Sequence, residues 1–337
     1  GDQALPAAQA LAGVSVGKAP GQRTYERLLG RLAALPRQTS LTLDELRTQY
    51  DSAQGAFRVD PGCAVEAIDE APFRGECLRP GQAGDAAMLY LHGGGYVIGS
   101  PRSPRPLVAD LAAATRLTGY LLDYRLAPEH PYPAARDDAV AAVRWLLDSG
   151  RASPDRLVLA GDSAGGGLVV ATLVALRDAG LPMPAAAVCL SPWVDLSCSL
   201  PSSALSRPPD PVIDGEVLRA MARAYLGRRS PRTPGASPLF ADLRELPPLL
   251  VQAAANEVLT DEAVELARAA AGAGVAVTLE LWPRFVHVGP WYARVFDDGR
   301  RAIDHAARFV TNALAQVARQ DAAAVTSNQR ATPLTQA

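Results

Sequence analysis

Gly161-Asp162-Ser163-Ala164-Gly165 decides how this chain is read. The apolar run Leu157-Val158-Leu159-Ala160 precedes it, and a helix-like stretch from Gly166 to Arg177 follows. Strand, sharp Gly-x-Ser-x-Gly turn and helix together are the context of a nucleophile elbow. Small residues flank the serine because the turn is tight and the backbone must approach a bound acyl group closely. Upstream, Ala87-Met88-Leu89-Tyr90-Leu91 reads as a buried strand, and His92-Gly93-Gly94-Gly95-Tyr96 follows at once. Successive glycines after a strand free backbone N–H groups to face a cavity, which the oxyanion of an acyl-transfer intermediate needs. The alternative for three glycines alone is a flexible loop. Paired with the elbow, they favour hydrolase chemistry.

The 337 residues carry 48% apolar and 20% charged side chains, an ordinary balance for a globular protein. A net charge of −2 implies no basic face for nucleic acid. No apolar run reaches the ~18 residues of a membrane span. Cys63, Cys77, Cys189 and Cys198 lack metal-ligand spacing and read as buried thiols of a reducing compartment, so a cytoplasmic location is expected. No basic segment precedes the small apolar stretch Ala4 to Gly17, so a signal peptide is not expected there. Neither a metal nor a cofactor is implied. The expected partner is a small-molecule ester, with a homodimer left open.

From about Val65, apolar strands alternate with helices. The strands are Ala87–Leu91, Gly119–Tyr124, Arg156–Ala160, Ala186–Leu190, Leu249–Ala253 and Val275–Trp282. The helices are Pro106–Ala114, Ala134–Leu147, Gly166–Ala179, Asp214–Tyr225, Asp261–Ala271 and about Gly299–Ala318. Such alternation predicts an α/β fold whose mostly parallel sheet is covered on both faces. Ligand sites in such sheets lie beyond the carboxyl ends of the strands, where the glycine loop and the elbow both fall. Residues 1–60 carry helical patterns, one at Tyr25–Leu35 and one beginning at Thr42. The hydrolase core then occupies 61–196 and 236–318. It is interrupted at 197–235 by a stretch rich in proline (Pro201, Pro208, Pro209, Pro211, Pro231, Pro234) with one helix inside. That insertion reads as a cap folded back over the strand ends, and the N-terminal helices are expected to join it. Residues 319–337, rich in Ala, Thr, Gln and Ser, are expected to be disordered.

A serine hydroxyl needs a base. His92 belongs to the glycine loop and reads as its brace; His130 sits in a turn; His305 lies within the last helix as ordinary surface. His287 follows a strand and a short turn, at a sheet end and in the chain order Ser, acid, His. The acid should follow Leu249–Ala253, where Asn256, Glu257 and Asp261 are available. Asn256 is neutral and its amide favours the wrong imidazole tautomer. Asp261 suits a helix N-terminus. Glu257 is favoured, with Asp261 as the alternative.

With these residues in place the chain resembles the bacterial hormone-sensitive-lipase-like branch of the α/β-hydrolases. The matching segments are His92-Gly93-Gly94-Gly95-Tyr96, Asp123-Tyr124-Arg125-Leu126-Ala127-Pro128-Glu129, Gly161 to Gly166, and Ser191-Pro192-Trp193-Val194-Asp195-Leu196. The resemblance implies an eight-stranded, mostly parallel sheet flanked by helices, with a helical cap. It also implies acylation of Ser163, an oxyanion hole of Gly93, Gly94 and Ala164, and cofactor-free hydrolysis of short- to medium-chain esters. Tyr96, Asp162 and Val288 are assigned to the substrate pocket. Asp162 and Asp195 also read as structural ties from their loops to nearby N–H groups. Two departures stand out. Where many members have Asp-Pro-Leu-x-Asp, this chain has Glu257-Val258-Leu259-Thr260-Asp261, and alignment from the strand side would put Asn256 first. Where members often have His-x-Phe, this chain has His287-Val288-Gly289-Pro290-Trp291.

Three functions compete. A carboxylesterase leads. The same machinery dedicated to one natural product, as a deacetylase, lactonase or amidase, is second. A ligand-binding protein on a retired hydrolase scaffold is third, and is disfavoured because Ser163, His287 and the glycine loop are all kept.

Overall fold

The computed structural model describes residues 21–33, 41–54, 57–205 and 210–331. Short runs of Leu, Val and Ala make the central strands: β3 (Ala87–Leu91), β5 (Leu157–Asp162), β6 (Ala186–Leu190) and β7 (Leu249–Ala254) are buried along their whole length. Side chains alternate across a strand, so each such strand feeds two cores. Leu157 and Leu159 enter one core and Val158 and Ala160 the other. The first core is closed by helices α4 (Ala134–Asp148), α5 (Ala164–Asp178) and α8 (Thr260–Gly272). The second is closed by α1 (Gly21–Ala33), α3 (Arg105–Thr115) and α9 (Asp297–Ala331).

With β1 (Cys63–Glu70), β2 (Phe73–Pro80), β4 (Thr118–Leu122) and β8 (Val277–Trp282), the eight-stranded sheet runs β1-β2-β4-β3-β5-β6-β7-β8. Only β2 runs antiparallel to its neighbours β1 and β4; the other pairs are parallel. The β1–β2 hairpin is absent from the strands read off the sequence. β1 is exposed over most of its length and carries Glu66, Asp69 and Glu70, so it shows no apolar run. The edge strand β8 is likewise mostly exposed and starts two residues later than predicted.

The predicted N-terminal helices are α1 and α2 (Leu43–Gln54), although residues 34–35 of the first prediction lie outside the described residues. α2 opens with a capping box: the Glu45 N–H donates to Thr42 Oγ1 at 3.3 Å, and the Thr42 N–H donates to Glu45 Oε2 at 2.8 Å. Arg47 on α2 reaches the carbonyls of Val97 and Ala127 at 2.9 and 3.0 Å. The proline-rich stretch holds α6 (Pro201–Leu205) and α7 (Gly215–Leu226), one helix more than expected. Asp214 caps α7 by accepting from the Glu216 and Val217 N–H groups, each at 2.9 Å. α9 continues to Ala331, so residues 319–331 are helical where disorder was expected. Its run Ala322-Ala323-Ala324 has high helix propensity, which outweighs the polar composition. Residues 332–337 lie outside the described residues.

Candidate active site

The elbow is built by what its residues lack. Between β5 and α5, Ser163 adopts φ 52°, ψ −121°, a conformation that L-residues seldom hold. A Cβ on Gly161 would lie 2.5 Å from the Gly165 carbonyl oxygen, and one on Gly165 would lie 2.0 Å from that of Leu91. Only glycine fits either place. Three backbone bonds hold the strained serine: its N–H donates to Leu190 O at 2.8 Å, and its carbonyl accepts from Trp193 N–H at 2.9 Å and Gly167 N–H at 3.1 Å. Ala164 opens α5, so its N–H has no intrahelical partner.

His287 and Glu257 meet at the sheet end. His287 Nδ1 lies 2.5 Å from Glu257 Oε2, and both residues are buried. The second oxygen, Oε1, accepts from Ser191 Oγ at 2.7 Å and from the Ala254 N–H at 2.8 Å. Ser191 Oγ in turn accepts from the Val288 N–H at 3.0 Å. A single hydroxyl thus ties the acid to the loop that carries the base. Ser191 directly follows Leu190, whose carbonyl holds Ser163, so nucleophile and base–acid pair share one short segment. Burial pushes the His287 pKa down, but the charges of Glu257, Asp210 and Asp162 prevail and lift it above the ordinary 6.5. Asp261 faces elsewhere, accepting from the Ser202 N–H at 2.8 Å, and Asn256 is exposed. The structure therefore pairs Glu257 with His287.

The glycine loop departs from expectation at one position. The Gly93 N–H donates to Asp162 Oδ1 at 3.1 Å, so it is already engaged. A Cβ there would fall 2.3 Å from Asp162 Oδ2. Among the described residues, the N–H groups of Gly94 and Gly95 have no backbone or side-chain acceptor, which moves the free donors one residue along. The sequence shows three equivalent glycines, and only the carboxylate packed beneath them distinguishes the first. Asp162 also accepts from Tyr90 OH at 2.8 Å, while Oδ2 has no partner. Burial, opposed chiefly by the Tyr90 bond and the His287 charge, raises its pKa to about 6. It braces the loop through the Gly93 N–H and is fully buried there.

Tyr96 lies flat on Tyr225 of α7, with centroids 3.9 Å apart and planes 6° from parallel. Val288 is buried beside the base, in the left-handed region at φ 50°, ψ 50°. His92 is the expected brace: its Nδ1–H donates to Gly93 O at 2.7 Å, and its ring stacks on Tyr124 at 4.1 Å. Burial lowers its pKa to about 4, so it stays neutral. His130 is exposed. His305 differs from the plain surface residue expected, being half-buried with Nδ1 2.8 Å from Glu280 Oε1. Among the described residues, no group of three or more His, Cys, Asp or Glu is placed to hold a metal ion.

A family model described as the alpha/beta hydrolase fold matches residues 88–290, which include the glycine loop, the elbow, Glu257 and His287. A solved esterase from the bacterial hormone-sensitive lipase family superposes with a TM-score of 0.83 at 42% identity, over 88% of this chain and all of that one. The chain belongs to the hormone-sensitive-lipase-like branch of the α/β-hydrolases. An acetyl-hydrolase of Streptomyces hygroscopicus is 48% identical to this hydrolase over 270 residues, 79% of this chain and 89% of that relative. An esterase of Acinetobacter venetianus is 32% identical over 292 residues, 85% and 95% of the two chains. Ser191, Gly95 and Glu262 went unassigned in the sequence. The first two stand inside motifs that were recognised, and their roles emerge only from contacts with distant segments.

Proposed function

We infer that this hydrolase cleaves carboxylic esters through an acyl-enzyme on Ser163. The pairing of His287 Nδ1 with Glu257 at 2.5 Å carries the reading, because it fixes the imidazole with Nδ1 protonated and Nε2 free as base. Ser163 Oγ attacks the ester carbon and its proton passes to His287. The negative oxygen is received by the N–H groups of Gly94, Gly95 and Ala164. The C–O bond breaks and His287 returns the proton to the departing alkoxide. Water, deprotonated by His287, then attacks the acyl carbon, and Ser163 leaves with the proton. α2 and α7 act as the cap over this site: Arg47 anchors one, and Met221 and Tyr225 press the other onto the glycine loop.

Purified protein should release p-nitrophenol from p-nitrophenyl acetate and butyrate, and Ser163→Ala should abolish it. Equal turnover by that variant would discard the mechanism. A second reading, removal of an acetyl group from one natural product, draws support from the Streptomyces relative. Turnover that is slow on all simple esters would favour it, and fast turnover across acyl lengths would remove it. Two further points belong to this proposal. The edge strand β8 exposes Leu279 and Leu281, which supports pairing of two copies there. The four cysteines are unpaired, which supports a cytoplasmic location.

A further inference from the structure

Glu262, in the first turn of α8, is a buried carboxyl that the hydrolytic scheme does not use. It is fully enclosed, at 0% exposure. Oε2 accepts from the Val194 N–H at 2.7 Å and the Asp195 N–H at 2.8 Å, while Oε1 has no hydrogen-bond partner. No Lys, Arg or His among the described residues pairs with it. An apolar side chain would sit there more cheaply if those two N–H groups needed no acceptor.

The segment it grips is the one on which the site converges. Ser191 joins Glu257 to the base loop, and the Trp193 N–H holds the Ser163 carbonyl at 2.9 Å. Trp193 O sits so close to α5 that a Cβ on Gly167 would meet it at 1.9 Å, and one on Gly166 would meet Pro192 at 3.0 Å. The segment has one face against the nucleophile helix, and Glu262 secures the other. Glu262 also follows the acid Glu257 by five positions on the same turn and helix, so it links the acid's element to the nucleophile's support.

We propose that Glu262 is a positioning residue: its two bonds to Val194 and Asp195 hold Ser191–Asp195 in register, so that Ser163 stays aligned with the Glu257–His287 pair. This rests on the acyl-enzyme reading above. Burial, partly offset by the two N–H bonds, drives its pKa well above the usual carboxylate range. A glutamine carbonyl can accept the same two bonds.

The test compares Glu262→Gln, Glu262→Met (similar shape, no acceptor) and Glu262→Asp (one methylene too short to reach both N–H groups). Rates are taken on p-nitrophenyl acetate per active site titrated with a fluorophosphonate. Glu262→Gln should keep kcat and KM within about twofold. Glu262→Met and Glu262→Asp should lose roughly tenfold to a hundredfold in kcat, the scale of a small misplacement at a reacting centre, with KM within about threefold. Unchanged kcat per titrated site in both, with only Tm lowered, would overturn the proposal. So would a Glu262→Gln variant as impaired as Glu262→Met. Full activity of Ser163→Ala would instead sink the acyl-enzyme reading, so the two failures are distinct.

Discussion

Replacing Glu257 by glutamine tests the base–acid pair with an almost isosteric change. Oε1 receives two donors, the Ala254 N–H at 2.8 Å and the Ser191 hydroxyl at 2.7 Å. Ser191 Oγ already accepts from the Val288 N–H, and Glu257 Oε1 is the acceptor of its own proton. The introduced amide must therefore place its carbonyl oxygen at that position and turn its NH₂ toward His287 Nδ1. The opposite orientation would set an NH₂ against a backbone N–H, at ~1–3 kcal/mol for each buried group left unsatisfied. Facing a donor, Nδ1 must accept, and the ring proton moves to Nε2, the nitrogen needed to deprotonate Ser163. In a serine protease triad the corresponding tautomer error costs ~10⁴ in kcat, or about 5.4 kcal/mol at 1.36 per tenfold. We expect Glu257→Gln to lose on the order of 10³–10⁴ in kcat while remaining folded. Asp261→Asn is the control. Its carboxylate serves the Ser202 N–H, and the change should stay within about threefold. The assay is initial-rate hydrolysis of p-nitrophenyl acetate, normalised to folded protein by thermal melting. A Glu257→Gln enzyme within tenfold of the parent would refute this assignment.

Other outcomes follow from the same contacts. Neutral His287 is the active form and its pKa is raised, so kcat/KM should rise with pH through an acid limb whose midpoint lies above 6.5. A midpoint well below that value would mean that the carboxylates do not govern the imidazole. Ser191→Ala removes a bond to Glu257 and leaves the Val288 N–H without its acceptor. Kinetics on the same ester should show a loss of about tenfold, matching a cost of ~1–3 kcal/mol for a buried unmet donor.

The central strands were legible because a parallel strand covered on both faces must be apolar throughout, as Leu157 to Ala160 and Leu249 to Ala253 are. β1 escaped because it lies at the sheet edge, where Glu66 and Asp69 meet water. Ser163 could be read from its glycines, which the turn demands, and His287 from its place after the last strand. The engagement of Gly93 could not be read, because it depends on Asp162, 69 residues away. Ser191 and Glu262 act across 66 and 68 residues of chain on partners that no local pattern announces. The helix runs on to Ala331 because alanine's helix propensity prevails over the polar residues around it.

Labelling the native protein with a fluorophosphonate and mapping the adduct by peptide mass spectrometry tests directly whether Ser163 is the nucleophile. One stoichiometric adduct is expected, on Ser163, forming with the same acid limb as ester hydrolysis. Active protein that stays unlabelled, or carries its adduct on another residue, would contradict it.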